Sequence, residues 1–305
     1  MPLPADFQFS QASLQDYADC PRRFQLRHIM QLAWPAIEAE PASAFEEQIR
    51  LGQAFHRMIH RHLLGIAEPA EAALIHPAPD RGGREGDDEA SAADQSQMAE
   101  ILAEWRRNYL AHPPADLPAL RRPEIALSAA IGDHRLIAQY DLVAVEPGRR
   151  AVIVDWKTSE RRPKSAWLSA RLQTRVYRWL LAQAGAHLNG GRPFAAEQIT
   201  MVYWFANAAE EPEWLPYDAA KHSADAAYLA GLIAEIKGLA DDEFYLTPDV
   251  RRCRFCLHRS LCGRGVTAGD LGDADEDQPM EAEEMSAAAD WATRFDFEQI
   301  AEIAF

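Results

Sequence analysis

Long apolar runs are absent from this sequence, although 48% of its 305 residues are hydrophobic. A transmembrane helix needs about 20 mostly apolar residues in succession, so none is predicted. The N-terminal stretch MPLPADFQFS lacks the basic start and the apolar run of a signal peptide. A GxxxxGK[ST] phosphate loop is also missing, so no ATPase motor is visible. We therefore expect a cytoplasmic protein without a membrane partner and with a sizeable core.

Basic residues are scarce as well. There are 31 Lys and Arg against 47 Asp and Glu, which gives a net charge of −16. This balance argues against a nucleic-acid partner. However, the stretch between Arg264 and Arg294 holds nine acidic residues and no Lys or Arg. Because salt screens each charge beyond roughly 10 Å, acidity in that stretch does not exclude a basic groove elsewhere.

Cysteine is rare and unevenly spaced. Cys253, Cys256 and Cys262 form a compact group, and Cys20 stands alone near the start. Disulfides are rare in cytoplasmic proteins, so metal binding is the better interpretation. Four thiolates are the ligand set of a [4Fe–4S] cluster. A four-cysteine Zn²⁺ site is the chemical alternative, and two disulfides are a more remote one.

Ligation by Cys20 would join the N-terminal helix to the C-terminal part of the chain and reduce the entropy of the connection between them. Arginines surround these cysteines and could stabilise thiolate or cluster charge, or form a basic rim for DNA: Arg22, Arg23, Arg251, Arg252, Arg254, Arg259 and Arg264.

Helical and strand periodicities alternate along the chain. Ser10 or Ser13 can cap a short helix that runs to Cys20. Further helices are predicted at 46–64, 93–111, 164–184 and 222–239, and strands at 124–131, 135–146, 151–156 and 199–206. Residues 66–92 are rich in Pro, Gly and charge, which suggests a mobile surface loop. This order predicts an α/β or α+β fold with a mixed sheet flanked by helices.

The strongest signal for chemistry is an acidic pair followed by a lysine. Asp141 lies within one apolar strand, and Asp155 and Lys157 end the next, two residues apart and therefore on one face. Pairing of these strands would bring the two carboxylates together, where they repel unless a cation separates them. Mg²⁺ held by both carboxylates resolves the conflict, and Lys157 could orient water or stabilise charge on phosphate. The alternative is a strand end with a solvated lysine.

Polar residues also follow the helix predicted at 164–184. Gln173 and Tyr177 are four apart and fall together beside its apolar stripe. They could hydrogen-bond a base or the surroundings of the lysine, or form an ordinary core boundary. Arg171, Arg175 and Arg178 form a separate, exposed stripe that could contact phosphates or simply face solvent.

His56 lies on the first long helix and could be a third metal ligand through a ring nitrogen. His60 follows one turn later, so an HxxxH zinc pair is an alternative. The second alternative is that His56 or His60 is a partly buried histidine with a purely structural role.

The ordered set of motifs is more specific than any one of them. In chain order they are Ser13-Leu14-x-x-Tyr17-x-x-Cys20-Pro21-x-x-Phe24, Gly52-x-x-Phe55-His56, Asp141, Asp155-Trp156-Lys157-Thr158, Gln173-x-x-x-Tyr177 and Cys253-x-x-Cys256-x5-Cys262. Over about residues 10–265 the chain resembles the RecB/AddB-type branch of the PD-(D/E)XK nucleases, which also includes the CRISPR-associated iron–sulfur exonucleases. The resemblance departs at Ala138, where a glycine usually stands.

The resemblance implies a restriction-endonuclease-like core with a helical N-terminal part and an iron–sulfur clasp. Asp141, Asp155 and the Trp156 carbonyl would bind Mg²⁺ or Mn²⁺, and His56 would complete that site. Lys157 would be the catalytic lysine, and Gln173 and Tyr177 would lie along the DNA path. The four cysteines would hold a structural [4Fe–4S] cluster.

The expected function is therefore a metal-dependent exonuclease or single-strand nuclease, acting on DNA in repair or recombination with a metal-activated water. One alternative is a non-catalytic nucleic-acid-binding module or helicase partner. The other is a zinc-clasped protein without a role on DNA.

Three segments are expected: a nuclease domain at 1–265, an acidic disordered linker at 266–290, and an amphipathic segment at 291–305. The acidic tail could mimic DNA in the nuclease groove, or its apolar end could bind a partner protein. A solvated tail is the plain alternative.

Overall fold

The computed structural model describes residues 3–4, 6–32, 42–67, 92–159, 162–253 and 256–265, except for the side chains of 42–47 and 92–95. The predicted linker at 266–290, the segment at 291–305 and Arg254 lie outside these residues, as does nearly all of the loop predicted at 66–92. Among the described residues, no helix combines the length and apolar character that a membrane span requires.

The N-terminal part is mainly helical. In chain order it contains β1 (Gln8–Ser10), α1 (Gln11–Asp19), α2 (Pro21–Phe24), a π-helical turn (Gln25–Ile29), α3 (Ala42–Leu63) and α4 (Ala92–Ala111). Ser10 caps α1 as predicted, because its hydroxyl accepts the Ser13 N–H and the Ser13 hydroxyl accepts the Ser10 N–H.

The rest of the described chain alternates strands and helices. It contains β2 (Leu120–Ile131), β3 (His134–Glu146), β4 (Arg150–Lys157), α5 (Ser165–Ala170), α6 (Leu172–Ala184), β5 (Ile199–Phe205), β6 (Glu213–Pro216) and α7 (Ala219–Gly238). Short 3-10 turns lie at Gly185–Asn189, Ala196–Gln198, Val250–Cys253 and Ser260–Cys262.

The strands form one mixed sheet, as the sequence predicts. Its order is β1-β3-β4-β5-β6, with β2 also paired to β3. The β2–β3, β3–β4 and β5–β6 pairs are antiparallel, whereas β1–β3 and β4–β5 are parallel. Parallel pairing of β4 and β5 needs a crossover, and α5 and α6 lie within it.

Apolar side chains cover both faces of the sheet. Val143, Ile153 and Met201 pack with α1, α6 and α7 on what we call the α6 side. Their sequence neighbours pack with α3 and α4 on the α3 side, in a cluster that includes Leu142, Val154, Val202, Phe55, Trp105 and Trp204. The sheet core is therefore closed on both faces, which explains the nearly continuous apolar runs of β3, β4 and β5.

Two predictions about the helix at 164–184 are wrong. It is interrupted at Arg171, whose ψ of 145° is extended rather than helical. The arginine stripe is not exposed, because Arg171 and Arg178 are only 7% and 2% exposed. Helix α7 packs on α6, and its Asp225 pairs with the Arg178 and Arg175 guanidinium groups at 3.5 and 3.1 Å.

Replacing Asp225 by Ala should lower the free energy of unfolding by about 3 kcal/mol, because it leaves the buried Arg178 charge without its carboxylate. Arg178 also stacks on Tyr217, with its guanidinium carbon 4.6 Å from the ring centre, so the charge cannot simply move into solvent. Urea unfolding measures the change. The control is Asp133→Ala, which breaks an exposed pair with Lys237 and should have a much smaller effect. Equal losses for both variants would contradict the prediction.

Candidate active site

The site lies where β3 and β4 separate. Their paired residues end with Leu142 opposite Val154. One step further, the Asp141 carboxylate accepts the Trp156 N–H at 2.9 Å and so takes the place of a main-chain acceptor. The other carboxylate oxygen of Asp141 is 3.2 Å from Nδ1 of His56 on α3. Helix α3 therefore places His56 beside Asp141.

Asp155 and Lys157 form a buried ion pair on the α6 side. Both residues are 2% exposed, and Nζ of Lys157 is 2.9 Å from Oδ2 of Asp155. The Gln173 amide donates to Oδ1 of Asp155 at 2.7 Å. Gln173 therefore orients Asp155 from α6. A buried charge pair with an additional hydrogen bond is costly to build for stability alone, so this arrangement indicates a functional site.

Tyr177 lies close to both carboxylates. Burial raises the pKa of its hydroxyl well above the usual value, and the negative charges of Asp155 and Asp141 raise it further. The ring is 9% exposed and packs on Tyr140, whose hydroxyl donates to the Tyr177 carbonyl at 2.9 Å. Tyr177 therefore stays protonated near neutral pH, where its hydroxyl can donate or accept a hydrogen bond. It cannot serve as a base near neutral pH.

Sequence reasoning missed Tyr203 and Thr174, which support Gln173. The Tyr203 hydroxyl lies 2.7 Å from the Thr174 hydroxyl and 3.4 Å from Oε1 of Gln173. Burial raises the pKa of Tyr203 to about 12, so it also remains a neutral donor. Tyr203 lies opposite Asp155 in the β4–β5 register. That pairing between distant strands is the only signal that could have identified it.

The residues around the strand gap suit a divalent cation. Asp141 and Asp155 supply hard oxygen ligands, and His56 supplies a ring nitrogen. Within the described ranges, no three His, Cys, Asp or Glu side chains converge at metal-binding spacing. Asp141 is directed to His56 and the Trp156 amide, while Asp155 is directed to Lys157 and Gln173. Both carboxylates could bind one ion only if the Asp141 or the Asp155 side chain rotated.

Cys20, near the start of the described chain, lies beside the three cysteines near its end, although no three of these four side chains reach metal-binding spacing. All are free thiols, and all line one pocket together with Arg23, His258 and Arg264. Burial raises the pKa of the Cys256 thiol, and the nearby Cys20 and Cys253 raise it further. Crowded thiolates repel each other, and a bound cation relieves this repulsion. We call these four residues the cysteine clasp.

Hydrogen bonds to sulfur support this interpretation. The Arg264 guanidinium donates to Sγ of Cys253 at 3.2 Å. A hydrogen bond from the His258 main-chain N–H lowers the pKa of Cys256. Such donors to thiolate sulfur are typical of iron–sulfur and zinc sites. The thiols and their donors are of the type that either group uses, but the four described cysteines do not lie at metal-binding spacing.

Protein contacts also tie the two ends of the chain together beside the clasp. The Arg22 N–H donates to the Tyr245 carbonyl at 3.1 Å, and the Gln25 amide donates to the Asp241 carbonyl at 2.7 Å. The Phe24 and Phe244 rings stack with centres 6.2 Å apart. These contacts join the N-terminal helices to residues 241–245, whereas joining through Cys20 stays a prediction.

Part of the predicted basic rim is neutralised by aspartates. Asp16 is buried against Arg23, Arg27 and His28, which hold the pKa of its carboxyl well below the usual value despite burial. Arg252 pairs with Asp19. These arginines therefore stabilise the clasp region internally, and only part of their charge can face a ligand.

This is a mixed-sheet α/β protein with an acidic pair, a buried lysine and a histidine at the point where two central strands separate. A family model for the PD-(D/E)XK nuclease superfamily matches residues 8–263, and the chain belongs to that superfamily. It is therefore a nuclease, of a class that acts on DNA and usually requires a divalent metal ion such as Mg²⁺.

Two solved structures are similar over most of the chain. One is described as "Putative exonuclease" from Eubacterium rectale, with 11% identity, a TM-score of 0.46, and coverage of 92% of this chain and 93% of that one. The other is described as SSO0001, with 10% identity, a TM-score of 0.32, and coverage of 72% and 86%. A search of curated proteins finds no match.

Proposed function

We propose that this nuclease is an exonuclease of the RecB/AddB type that acts on single-stranded DNA or DNA ends in the cytoplasm, during repair or recombination. The observation that carries the proposal is the buried Asp155–Lys157 pair beside Asp141 and His56. A binding module without chemistry would have no use for a desolvated lysine held at 2.9 Å from a carboxylate.

In this proposal, Asp141, Asp155, His56 and the Trp156 carbonyl hold Mg²⁺ or Mn²⁺. When bound, the cation lowers the pKa of an attacking water and neutralises phosphate charge. Gln173 holds Oδ1 of Asp155 at 2.7 Å, so it would limit how far the Asp155 side chain turns when that residue becomes a ligand.

Lys157 carries out the main protein part of the chemistry. Its ammonium group would lose one partner if Asp155 turned toward the cation, and it could then donate to the attacking water or to a phosphate oxygen. Tyr177, held neutral beside both carboxylates, donates a hydrogen bond to the scissile phosphate region. Gln173 positions Asp155.

Two arginines are proposed to contact DNA from α6. Arg175 is the better placed, because its side chain is 27% exposed. Arg171 is buried, and its guanidinium carbon is 4.6 Å from the ring centre of Trp167. Little of its guanidinium group is therefore available to a phosphate. Their contribution is to hold the DNA backbone rather than to read sequence.

The cysteine clasp is proposed to hold a structural [4Fe–4S] cluster. Four thiols in one pocket, with guanidinium and amide donors to sulfur, support this assignment. A Zn²⁺ ion is the alternative occupant, because it takes the same four ligands. Iron, sulfide and zinc analysis of anaerobically purified protein separates the two.

The second candidate is a nucleic-acid-binding module that partners a helicase. The acidic net charge of −16 favours it, since an enzyme that must capture DNA alone gains from a basic surface. In that case DNA ends would be bound but not cleaved in the presence of Mg²⁺ or Mn²⁺.

The test compares linear and circular single-stranded DNA of one sequence, labelled at the 5′ or 3′ end, with Mg²⁺, Mn²⁺ or chelator. We expect metal-dependent degradation of the linear form alone, and the label lost first gives the polarity. Cleavage of circles would show an endonuclease, and binding without any cleavage would support the helicase-partner module.

A further inference from the structure

Strand β3 changes face at Asp141. Ala138 and Tyr140 pack on the α6 side, so regular alternation would place Leu142 there too. Instead, Leu142 packs on the α3 side and Val143 returns to the α6 side. The alternation therefore slips by one residue between Tyr140 and Val143.

Strand β2 slips at the same level. Ile125 and Leu127 pack on the α6 side, and so does Leu120, although positions 120 and 125 are five apart and regular alternation would place them on opposite faces. The register is unchanged across the slip, with Pro123 opposite Leu142 and Ile125 opposite Tyr140. Both strands therefore carry the same break, and the residue of β2 that faces Asp141 is Glu124.

Glu124 has a left-handed backbone, with φ of +52°. A residue with a side chain rarely adopts this conformation inside a strand, so it marks the origin of the break. Pro123, immediately before it, has no N–H to donate across the sheet. The Gln139 amide donates to the Glu124 carboxylate.

The break decides where Asp141 is directed. In a regular strand that continued back from Val143, Asp141 would lie wholly on the α6 side. With the break, its carboxylate reaches the Trp156 N–H and His56 on α3. The same break ends the β3–β4 pairing at Leu142 and opens the gap between the two strands.

We propose that Glu124 is a positioning residue, whose left-handed backbone, rather than its carboxylate, aims Asp141 at the metal. This inference rests on the proposed function, because it assumes that Asp141 is a metal ligand. It makes a distinctive prediction: glycine, which adopts positive φ freely, should replace Glu124 without loss.

Mn²⁺ binding, measured by electron paramagnetic resonance without DNA, provides the test. Glu124→Gly and Glu124→Gln should bind Mn²⁺ within about twofold of the wild type, and should cleave DNA at a similar rate. Glu124→Val should bind about tenfold more weakly or worse, because a β-branched residue resists positive φ. The control is Gln31→Val, at another residue with positive φ (+49°) in a different part of the fold, which should leave Mn²⁺ binding unchanged.

Weak binding by the Gly or Gln variant would overturn the inference and assign the function to the carboxylate. Wild-type binding by Glu124→Val would overturn it as well. If the Val variant does not fold, the Gly and Gln variants decide, since both must bind Mn²⁺ within about twofold of the wild type for the inference to stand. Failure of the wild type itself to bind Mn²⁺ or to cleave would refute the proposed function instead.

Discussion

Lys157→Ala should lower the rate of DNA cleavage by about a hundredfold to a thousandfold, which is the usual cost of removing one preorganised donor from an active site. DNA binding should survive, because Lys157 is 2% exposed and can contribute little to the surface that meets DNA. Single-turnover cleavage of end-labelled DNA measures the rate, and fluorescence anisotropy measures binding.

The metal dependence of this variant is equally informative. Removing the ammonium group leaves the buried Asp155 carboxylate without its cation at 2.9 Å, and an uncompensated buried anion attracts a divalent ion more strongly. We therefore expect Mn²⁺ affinity that is unchanged or higher, together with slow cleavage. A lysine that served only to stabilise the fold would give the opposite result, with metal affinity and cleavage lost in parallel as the site collapses.

Lys157→Met keeps the length of the side chain and separates lost charge from lost packing. Lys237→Ala, which removes an exposed lysine paired with Asp133, is the matched control and should cleave like the wild type. Wild-type cleavage by both Lys157 variants would remove Lys157 from the mechanism.

Cys20→Ser should release the metal centre proposed for the cysteine clasp and lower the unfolding temperature by about 10 °C or more. Loss of one thiolate leaves three ligands from the C-terminal segment, and it also removes the one ligand that connects them to α1. For a protein of this size, each kcal/mol shifts the midpoint by roughly 2–4 °C, so a loss of a few kcal/mol is enough. Iron, sulfide and zinc content and differential scanning calorimetry provide the measurements.

Cys256→Ser should behave in the same way, since both cysteines line one pocket. The control is Leu261→Ala, which changes an exposed residue in the turn that carries Cys262 and should keep the full metal content. Retention of metal by Cys20→Ser alone would show that the C-terminal cysteines bind it without the N-terminal helix, and would contradict the clasp.

Much of the fold could be predicted from the sequence because its signals are local. Alternation and apolar runs identify β2, β3, β4 and β5, and the 3.6-residue period identifies the long helices. The edge strands β1 and β6 have only three and four residues, which is too short for a periodic signal. The interruption at Arg171 depends on packing and leaves the helical pattern of the sequence intact.

The site was predictable to the extent that its residues form a linear pattern. Asp141, Asp155, Lys157 and His56 could be named from spacing and resemblance, and the structure brings them into two contacting pairs. The contact between Gln173 and Asp155, the support from Tyr203, and the burial of Arg178 all depend on which helix covers which strand. No local pattern contains that information. The break at Glu124 was also invisible, because a glutamate in a strand gives no sign of a left-handed backbone.

The connection between the two ends of the chain has a consequence for how the protein is made. Cys20 emerges from the ribosome early, whereas Cys253, Cys256 and Cys262 are synthesised more than 230 residues later. A metal centre with all four ligands can therefore form only after synthesis of the sheet and both of its helical layers. Until then the early thiol stays exposed in the nascent chain to oxidation and to capture by other metals. If the clasp holds the proposed centre, cells must therefore supply it after Cys262 has been synthesised.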